Sequence, residues 1–327
     1  MILGWAAFSA LLLAHVPVAH AQDSVPEARP QPDSAPALVP PLDSFPLVEL
    51  ASEPLLLTEG TVGWLRVRPS LPARSVTGGQ AAGEPLHFEK STSGEYRGLI
   101  GVPIGARDSL RVLIYLAGGE RTDTVVIPVA VRQAGFPSEQ LAVAPAFVRP
   151  DSAAAARIRR ELVRSRAVSH RSRETPRLWR GPFRLPRGTR ITSRFGSARV
   201  YNGEVKSRHL GTDFAGAVGT PVRAAGRGVV ALIANFYLAG RSVYVDHGGG
   251  LVTTYFHLSR VEVAEGDTVV AGQRIGRVGQ SGRVTGPHLH WAARYGIIPV
   301  DPMSLLELDK TATPGSTPVG AEKPGGK

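Results

Sequence analysis

The 327-residue sequence contains no cysteine. Without thiols the chain forms no disulfide and no thiolate metal site, and it offers no N-terminal cysteine for lipid attachment. Aromatic residues make up only 6% of the chain and methionine occurs twice, so we expect cores built from valine, leucine, isoleucine and alanine. Past residue 21 there is no apolar run long enough to cross a bilayer. These absences predict a mature protein that is soluble and folds without covalent cross-links.

The one long apolar run lies at the N-terminus. Residues 2–18 are almost all apolar, and the Ala-His-Ala sequence at 19–21 has the small-x-small pattern of a cleavage site. We therefore predict a signal peptide over residues 1–21 and a periplasmic or secreted mature protein. A short membrane anchor is the alternative, but no basic stop-transfer segment follows the run.

Positive charges exceed negative charges by 11 at neutral pH. Much of the excess lies between residues 157 and 199, where arginine recurs every few positions. A basic surface attracts nucleic acid, anionic lipid or an acidic polymer. Export argues against nucleic acid, so we expect an anionic cell-wall polymer as the partner of this stretch. For any single arginine, a solvated helix face without a partner is the alternative.

Changes in composition along the chain predict a mainly β protein. Short β-rich runs are separated by Gly, Pro, Ser or Asp, as in antiparallel sandwiches and barrels. Recurring prolines indicate an extended linker, and a stretch without core-forming residues indicates disorder. The predicted segments are a signal peptide at 1–21, a Pro-rich linker at 22–45, a small β-sandwich-like domain at 46–135, a basic connector helix at 150–175, a second, antiparallel β domain at 179–305 and a disordered tail at 308–327.

One helix is predicted, over residues 151–172. A Pro-Asp-Ser sequence supplies its start signal, and the segment is rich in alanine, arginine and leucine, which are good helix formers. Ile158, Leu162 and Val163 are placed on one apolar face, and the other faces are basic. We interpret this helix as a connector between the two β domains.

Two hairpins are predicted in the second β domain. In the first, the runs SVYVDH and LVTTYFHL flank three glycines at 248–250. In the second, the run RVEVAEGDTVVAG contains a turn at Glu265, Gly266 and Asp267. Further strands are expected at QRIGRVG and PHLHWAARYG.

Imidazole groups are concentrated in the second β domain, where five of the nine histidines fall. His288 and His290 are two residues apart, so on a strand both side chains project to one face. His209 and Asp213 lie four apart, and Gly211 between them argues against a helix interior. Imidazole and carboxylate are both good zinc ligands, and three such ligands with an open position are typical of a catalytic site. The sequence therefore predicts a metal site built from an HxxxD and an HxH pattern.

Three other histidines are assigned structural roles. His87 lies between two apolar residues, and His170 lies near the end of the predicted helix. His247 ends a strand before the glycine turn, and we place it outside the metal shell together with Asp246.

The phrases HLGTDF, TTYFHLS and GPHLHW, in this order and spacing, resemble the signature of lysostaphin-type (LytM-domain) zinc metallopeptidases, family M23, over residues 183–302. The flanking phrases ITSRFG, GTPVRAAGRGVV and EGDTVVAGQRIGRVGQSG agree with it. The resemblance implies an antiparallel β-sheet metallopeptidase domain that cuts peptide cross-links of bacterial peptidoglycan. Family members often carry an acid after HxH. Here Trp291 is followed by Ala292, which puts a contact around the metal ligands in doubt.

The same resemblance implies a role for each residue. His209, Asp213 and His290 are the zinc ligands, and the attacking water is activated by Zn²⁺. His257 and His288 are the catalytic histidines beside the metal. The site has no HExxH glutamate, and an imidazole suits proton transfer at neutral pH. The sequence leaves open which of the two histidines accepts the proton.

The presence of all five residues favours an active enzyme, an exported zinc endopeptidase. One alternative is a non-hydrolytic wall-binding regulator that activates a separate amidase, and another is a basic anion-binding protein. The sequence distinguishes neither the cross-link bond that is cut nor whether the N-terminal β domain is autoinhibitory, and it leaves the oligomeric state open.

Overall fold

The computed structural model describes residues 47–54, 56–118, 121–203 and 205–308. The predicted signal peptide, the predicted linker and all but the first residue of the predicted tail lie outside the described residues. The described chain is mostly β, which confirms the predicted fold class. Within these ranges, no helix is both long and apolar enough to cross a bilayer.

The first part of the described chain consists of nine strands: β1 (Val48–Glu53), β2 (Leu57–Thr58), β3 (Val62–Pro69), β4 (Ser75–Ala81), β5 (Glu84–Leu86), β6 (Phe88–Lys90), β7 (Tyr96–Gly101), β8 (Ser109–Gly118) and β9 (Arg121–Arg132). They form one sheet in the order β1-β3-β7-β6 and another in the order β2-β9-β8-β4-β5. The β2–β9 pair is parallel, and the other pairs in these two sheets are antiparallel. Along β8, the alternating residues Val112, Ile114 and Leu116 are fully buried, which is the period expected of a strand with one face in a core.

A connecting segment leads from these sheets to the rest of the chain. It contains β10 (Ser138–Leu141), α1 (Pro145–Val148) and α2 (Ser152–Ser172). Asp151 caps α2, because its side chain accepts a hydrogen bond of 2.7 Å from Ala154 N. The single long helix therefore begins at the start signal found in the sequence.

The packed face of α2 differs from the predicted one. Ile158 and Leu162 are partly buried, but Val163 is 68% exposed. The prediction for Val163 was wrong, because consecutive helical residues are rotated by about 100° and Val163 follows Leu162 directly. The buried positions lie further along the helix and are mostly small: Ser165, Val168, Ser169 and Ser172.

The second part contains β11 (Ile191–Ser193), β12 (Ala198–Tyr201), β13 (Val205–Arg208), β14 (Thr212–Ala215), β15 (Pro221–Arg223), β16 (Gly228–Phe236), β17 (Gly240–Gly248), β18 (Leu251–Val261), β19 (Thr268–Val269), β20 (Arg274–Val278), β21 (His288–Tyr295), β22 (Ile298–Val300) and a 3₁₀ helix (Pro302–Glu307). A ten-stranded sheet has the main order β11-β14-β21-β18-β17-β16-β19. In the same sheet, β20 pairs with β15 and β18, and β22 pairs with β21. A small sheet joins β12 and β13 to β10, which runs parallel to β12.

The first predicted hairpin is confirmed and the second is wrong. Strands β17 and β18 pair across the glycine turn, where Gly248, Gly249 and Gly250 all have positive φ. The segment after Gly266 pairs with β16 instead of β18. The reason is that the end of β18 is already paired with β20, so the following strand, β19, pairs with β16 instead.

One hydrophobic core runs through both parts of the described chain. The rings of Trp64 and Trp179 lie 5.7 Å apart, and Trp64 Nε1 donates a hydrogen bond of 2.6 Å to Leu308 O. A Cβ added to Gly101 would lie 2.9 Å from Tyr295 Cβ, so β7 packs directly against β21. Leu308, predicted as the first residue of the disordered tail, is only 3% exposed and belongs to this core.

His247 and Asp246 hold strands and helix together. His247 is completely buried, with Nδ1 2.7 Å from Arg227 O and Nε2 2.8 Å from Thr253 Oγ1. Asp246 accepts hydrogen bonds from Ser172 Oγ at 2.5 Å and from Gly248 N at 2.8 Å. Burial lowers the pKa of His247 from 6.5 to about 4, so the imidazole is neutral in the folded protein.

The depressed pKa of His247 predicts a loss of stability in acid. Between pH 6.5 and 4 the unfolded chain binds a proton that the folded chain excludes, so the free energy of unfolding falls as pH falls. This residue contributes a slope of up to about 1.4 kcal/mol per pH unit in that window. Chemical denaturation at several pH values between 4 and 6.5 should therefore show that the free energy of unfolding depends less steeply on pH in His247→Gln than in the wild type. His170→Gln, at an exposed position of α2, should keep the wild-type slope. Equal slopes for all three proteins would contradict the account.

Candidate metal centre

Asp213 and His290 face each other across neighbouring strands. In the antiparallel register of β14 and β21, Asp213 pairs with His290 and Ala215 pairs with His288. Directly opposed side chains in such a pair are close enough to interact, and here His290 Nδ1 lies 2.8 Å from Asp213 Oδ1. His209, just before β14, places Nε2 at 3.0 Å from both of these atoms. The two sequence patterns therefore meet at one point.

These three ligand atoms have the chemistry of a cation site. His209 Nδ1 lies 2.9 Å from Arg194 O, a bond that requires hydrogen on Nδ1 and leaves a lone pair on Nε2. That lone pair faces the Asp213 carboxylate, an arrangement that repels unless a cation or a proton lies between. A zinc ion that binds N and O donors at about 2.0–2.1 Å holds its ligands about 3.3 Å apart in a tetrahedron, close to the separations found. Among the described residues, His209, Asp213 and His290 form a group that could hold a metal ion, with ligand atoms within 4.8 Å of one another.

Gly211 provides the clearance that His290 needs. A Cβ added to Gly211 would lie 2.5 Å from His290 Nε2 and 2.7 Å from Trp291 O. No side chain fits at that distance, so the loop between the two patterns requires glycine here.

His288 lies beside the three ligand atoms with its tautomer determined by the backbone. Its Nδ1 is 2.8 Å from Gly286 O, so Nδ1 carries hydrogen and Nε2 presents a lone pair. His288 Nε2 lies 3.7 Å from Asp213 Oδ1. The two histidines of HxH therefore share a face but present different nitrogens, Nε2 from His288 and Nδ1 from His290.

His257 reaches the group through a break in strand alternation. Phe256 pairs with His290, and their rings stack with centroids 5.2 Å apart. Regular alternation would point the next side chain to the opposite face. His257 instead has a φ of 62°, and the register of β17 with β18 shifts at this point. The centroid of its ring consequently lies 4.9 Å from that of His288 and 5.9 Å from that of His290.

The backbone also determines the tautomer of His257. Its Nδ1 lies 2.8 Å from Ser281 O, which assigns hydrogen to Nδ1 and a lone pair to Nε2. A left-handed conformation at a non-glycine residue costs about 1 kcal/mol, and such strain persists only where the surrounding contacts impose it. The His257 backbone N donates to Ala239 O at 3.0 Å, which is one of those contacts.

Burial keeps two of these imidazoles neutral. It lowers the pKa of His257 to about 3, with His290 and His288 as further causes. It also lowers the pKa of His290 to about 4, although Asp213 opposes the shift. Burial would raise the pKa of Asp213, but the adjacent His209 and His290 outweigh it and hold that pKa well below its usual value. At neutral pH the site therefore offers lone pairs and one negative charge to a cation.

Comparison with known proteins identifies this part of the chain. Residues 207–302 match the model of peptidase family M23. They form an M23 domain. The family inferred from the three sequence phrases is thereby confirmed.

Relatives of the M23 domain act on the bacterial wall, according to their names. Peptidoglycan DD-endopeptidase ShyA of Vibrio cholerae serotype O1 is 48% identical over 105 residues, which cover 31% of this chain and 24% of ShyA. DD-carboxypeptidase/endopeptidase Mpg of Neisseria meningitidis serogroup B is 43% identical over 131 residues, 38% of this chain and 30% of Mpg. The chain thus spans less than a third of either relative.

The fold likeness extends beyond the M23 domain. A crystal structure assigned to peptidase M23 from Pseudomonas aeruginosa superposes with a TM-score of 0.58 at 24% sequence identity. The likeness covers 76% of this chain and 95% of that one, so the first β part is included in the shared fold.

Residues outside the matched range contact the candidate metal ligands His209 and Asp213. Arg199 Nη2 donates to Asp213 Oδ2 at 2.7 Å, and Ser193 Oγ lies 2.9 Å from His209 Nδ1. Glu139 lies beside both, with Oε1 2.8 Å from Ser193 Oγ and Oε2 3.3 Å from Arg199 Nε. The sequence did not predict these contacts. It presents Arg199 as one residue of a basic stretch and Ser193 as part of the phrase ITSRFG.

The clearance at Gly211 leads to a prediction about metal affinity. In Gly211→Ala the added Cβ must displace His290, so we expect the affinity for zinc ions to fall about tenfold or more. Competition with a chromophoric chelator measures this affinity directly. Gly188→Ala is the control, because its added Cβ would meet nothing within 4 Å. Unchanged affinity in Gly211→Ala would exclude His290 as a ligand in the observed position.

Proposed function

We propose that the protein is an exported zinc endopeptidase that hydrolyses peptide cross-links of bacterial peptidoglycan. The observation that carries the proposal is the approach of His209 Nε2, Asp213 Oδ1 and His290 Nδ1 to within 2.8–3.0 Å of one another. Membership of the M23 family supports the reaction type. The names of the relatives ShyA and Mpg support the substrate class.

In this proposal His209, Asp213 and His290 hold the zinc ion. When bound there, zinc supplies a Lewis acid that polarises the scissile carbonyl and activates water. Three protein ligands would leave one position for water or substrate, as in catalytic zinc sites.

His257 and His288 are the candidate residues for the proton transfers. Each has its Nδ1 hydrogen committed to a backbone carbonyl, at Ser281 and at Gly286, so each presents an Nε2 lone pair to the site. An imidazole in this tautomer accepts the proton of the attacking water at Nε2 and afterwards donates it to the leaving amine. Both histidines present the Nε2 lone pair that this transfer requires, and one of them takes the proton.

Direct cross-links are the proposed bonds. The relatives' names include DD-endopeptidase activity, which refers to a peptide bond between two D-configured centres. The apolar run at residues 2–18, followed by Ala-His-Ala at 19–21, supports export to the compartment where this polymer lies.

Zinc content and cleavage of peptidoglycan test the proposed enzyme. Wild type should bind one zinc and release cross-linked muropeptides, which mass spectrometry identifies together with the bond cut. His290→Ala should lose the metal, whereas His257→Ala and His288→Ala should keep it and lose about 10²-fold or more in rate. His170→Ala, at an exposed position, is the control.

Zinc-loaded wild type that cleaves no wall preparation would refute the enzyme. Stimulation of a separate amidase that survives His288→Ala would favour the regulator in its place.

An anionic cell-wall polymer is the proposed partner of α2. Six arginines of this helix are exposed, and Glu161, the one acid between residues 152 and 172, is partly buried against Arg157. The outward surface of α2 therefore carries almost only positive charge, which attracts a polyanion. The exposed arginines are Arg157, Arg159, Arg160, Arg164, Arg166 and Arg171.

Retention on isolated wall material tests this surface. Replacing Arg159 and Arg160 by glutamine should lower retention at low salt, and added salt should reduce the difference because it screens exposed charges. The matched control replaces Arg111 and Arg121, which are exposed on β8 and β9. Equal retention of the two double variants would show that α2 has no special part in binding.

A further inference from the structure

A carboxylate from outside the M23 domain lies beside the metal centre. Glu139 is on β10, in the segment that connects the first two sheets to α2, and it pairs with Arg199 in the parallel register of β10 and β12. Its side chain is 24% exposed, and its oxygens are directed towards Ser193 and Arg199. Each of these two residues in turn contacts one metal ligand.

The first branch runs through the hydroxyl of Ser193. Both oxygens of Glu139 are close to Ser193 Oγ, at 2.8 and 3.0 Å. An ionised carboxylate only accepts hydrogen bonds, so the single hydrogen of Ser193 is donated to Glu139. The lone pairs of Ser193 Oγ are then directed to its other neighbours, Arg199 Nη2 at 2.8 Å and His209 Nδ1 at 2.9 Å.

This hydrogen-bond direction reinforces the tautomer of His209 that the Arg194 carbonyl also requires. A nitrogen that faces a lone pair of Ser193 Oγ and the carbonyl of Arg194 must carry hydrogen itself. Hydrogen on His209 Nδ1 leaves the lone pair on Nε2, which is the atom directed at the proposed metal. Glu139 therefore favours, through Ser193, the tautomer that binds a cation.

The second branch runs through the guanidinium of Arg199. Its Nε donates to Glu139 Oε2 at 3.3 Å, and its Nη2 donates to Asp213 Oδ2 at 2.7 Å. The second oxygen of Asp213 is thus occupied, and Oδ1 alone is presented to the metal. Arg199 is only 14% exposed, so its positive charge is poorly screened and would repel a cation. The negative charge of Glu139 offsets that repulsion.

We propose that Glu139 is a positioning residue of the metal centre. It acts through Ser193 on His209 and through Arg199 on Asp213, and so it sets the affinity of the site for zinc. The inference rests on the metal site of the proposed function, and it adds a dependence of that site on the connecting segment.

Zinc affinity of the full chain tests the inference. Competition with a chromophoric chelator should show a Kd raised by about 10- to 100-fold in Glu139→Gln, which keeps the shape of the side chain and removes its charge. Glu139→Asp keeps the charge and should recover part of the affinity. Gln140→Ala, exposed on the same strand, is the matched control and should keep the wild-type Kd. A wild-type Kd in Glu139→Gln would overturn the proposal.

The thermal midpoint of the metal-free protein separates positioning from a general structural role. We expect Glu139→Gln to keep the wild-type midpoint while its zinc Kd rises. The proposal would fail if the midpoint of Glu139→Gln fell and the zinc Kd of Glu139→Asp were no better than that of Glu139→Gln. That result would show general damage to the fold.

A double variant tests the path through Ser193. If Glu139 acts through this hydroxyl, Glu139→Gln and Ser193→Ala together should raise the Kd by less than the product of the two separate factors. Fully multiplicative effects would contradict the path. None of these measurements uses peptidoglycan, so a wild type that binds zinc but cleaves nothing would refute the proposed enzyme and leave the role of Glu139 standing.

Discussion

The pairing of β14 with β21 is the interaction on which the site depends. It sets Asp213 opposite His290, and a slip of one residue would turn the histidines to the other face of the sheet. Leu289 and Trp291 prevent that slip, because they alternate with the histidines and are completely buried. A slip would expose both side chains to water at a cost of roughly 2–3 kcal/mol each. The apolar residues of this strand therefore specify where its polar residues lie.

The alternation of residues along a strand predicted much of the site. It placed His288 and His290 on one face, and the HxxxD pattern supplied His209 and Asp213 as the other candidate ligands. Alternation could not place His257. Its neighbour Phe256 already occupies the face of His290, and only a bulge with a left-handed residue brings both side chains to the same side. That conformation is imposed by contacts with distant strands, so no local period in the sequence indicates it.

Strand pairing also could not be predicted where distant segments compete for the same strand edge. The turn at Gly266 has the expected positive φ, but the strand that follows it was assigned to the wrong partner. Turn chemistry is local, whereas the choice of partner depends on which strand edges are free. The role of a charged residue likewise depends on where the fold places it. The sequence presents Arg199 as one member of a basic stretch, and only the fold shows that it is 14% exposed and bound to Asp213 while the arginines of α2 face water.

The shared interior extends beyond the part of the chain that matches the family model. That match begins at residue 207, but the core continues back through Trp179 to Trp64 and joins Gly101 to Tyr295. A genetic exchange that moved the M23 domain alone into another protein would carry these apolar surfaces without the residues that cover them. The recipient would have to supply a similar cover, or the exchange would have to include the first two sheets. Transfer of the M23 domain to another protein would therefore be constrained by packing well outside residues 207–302.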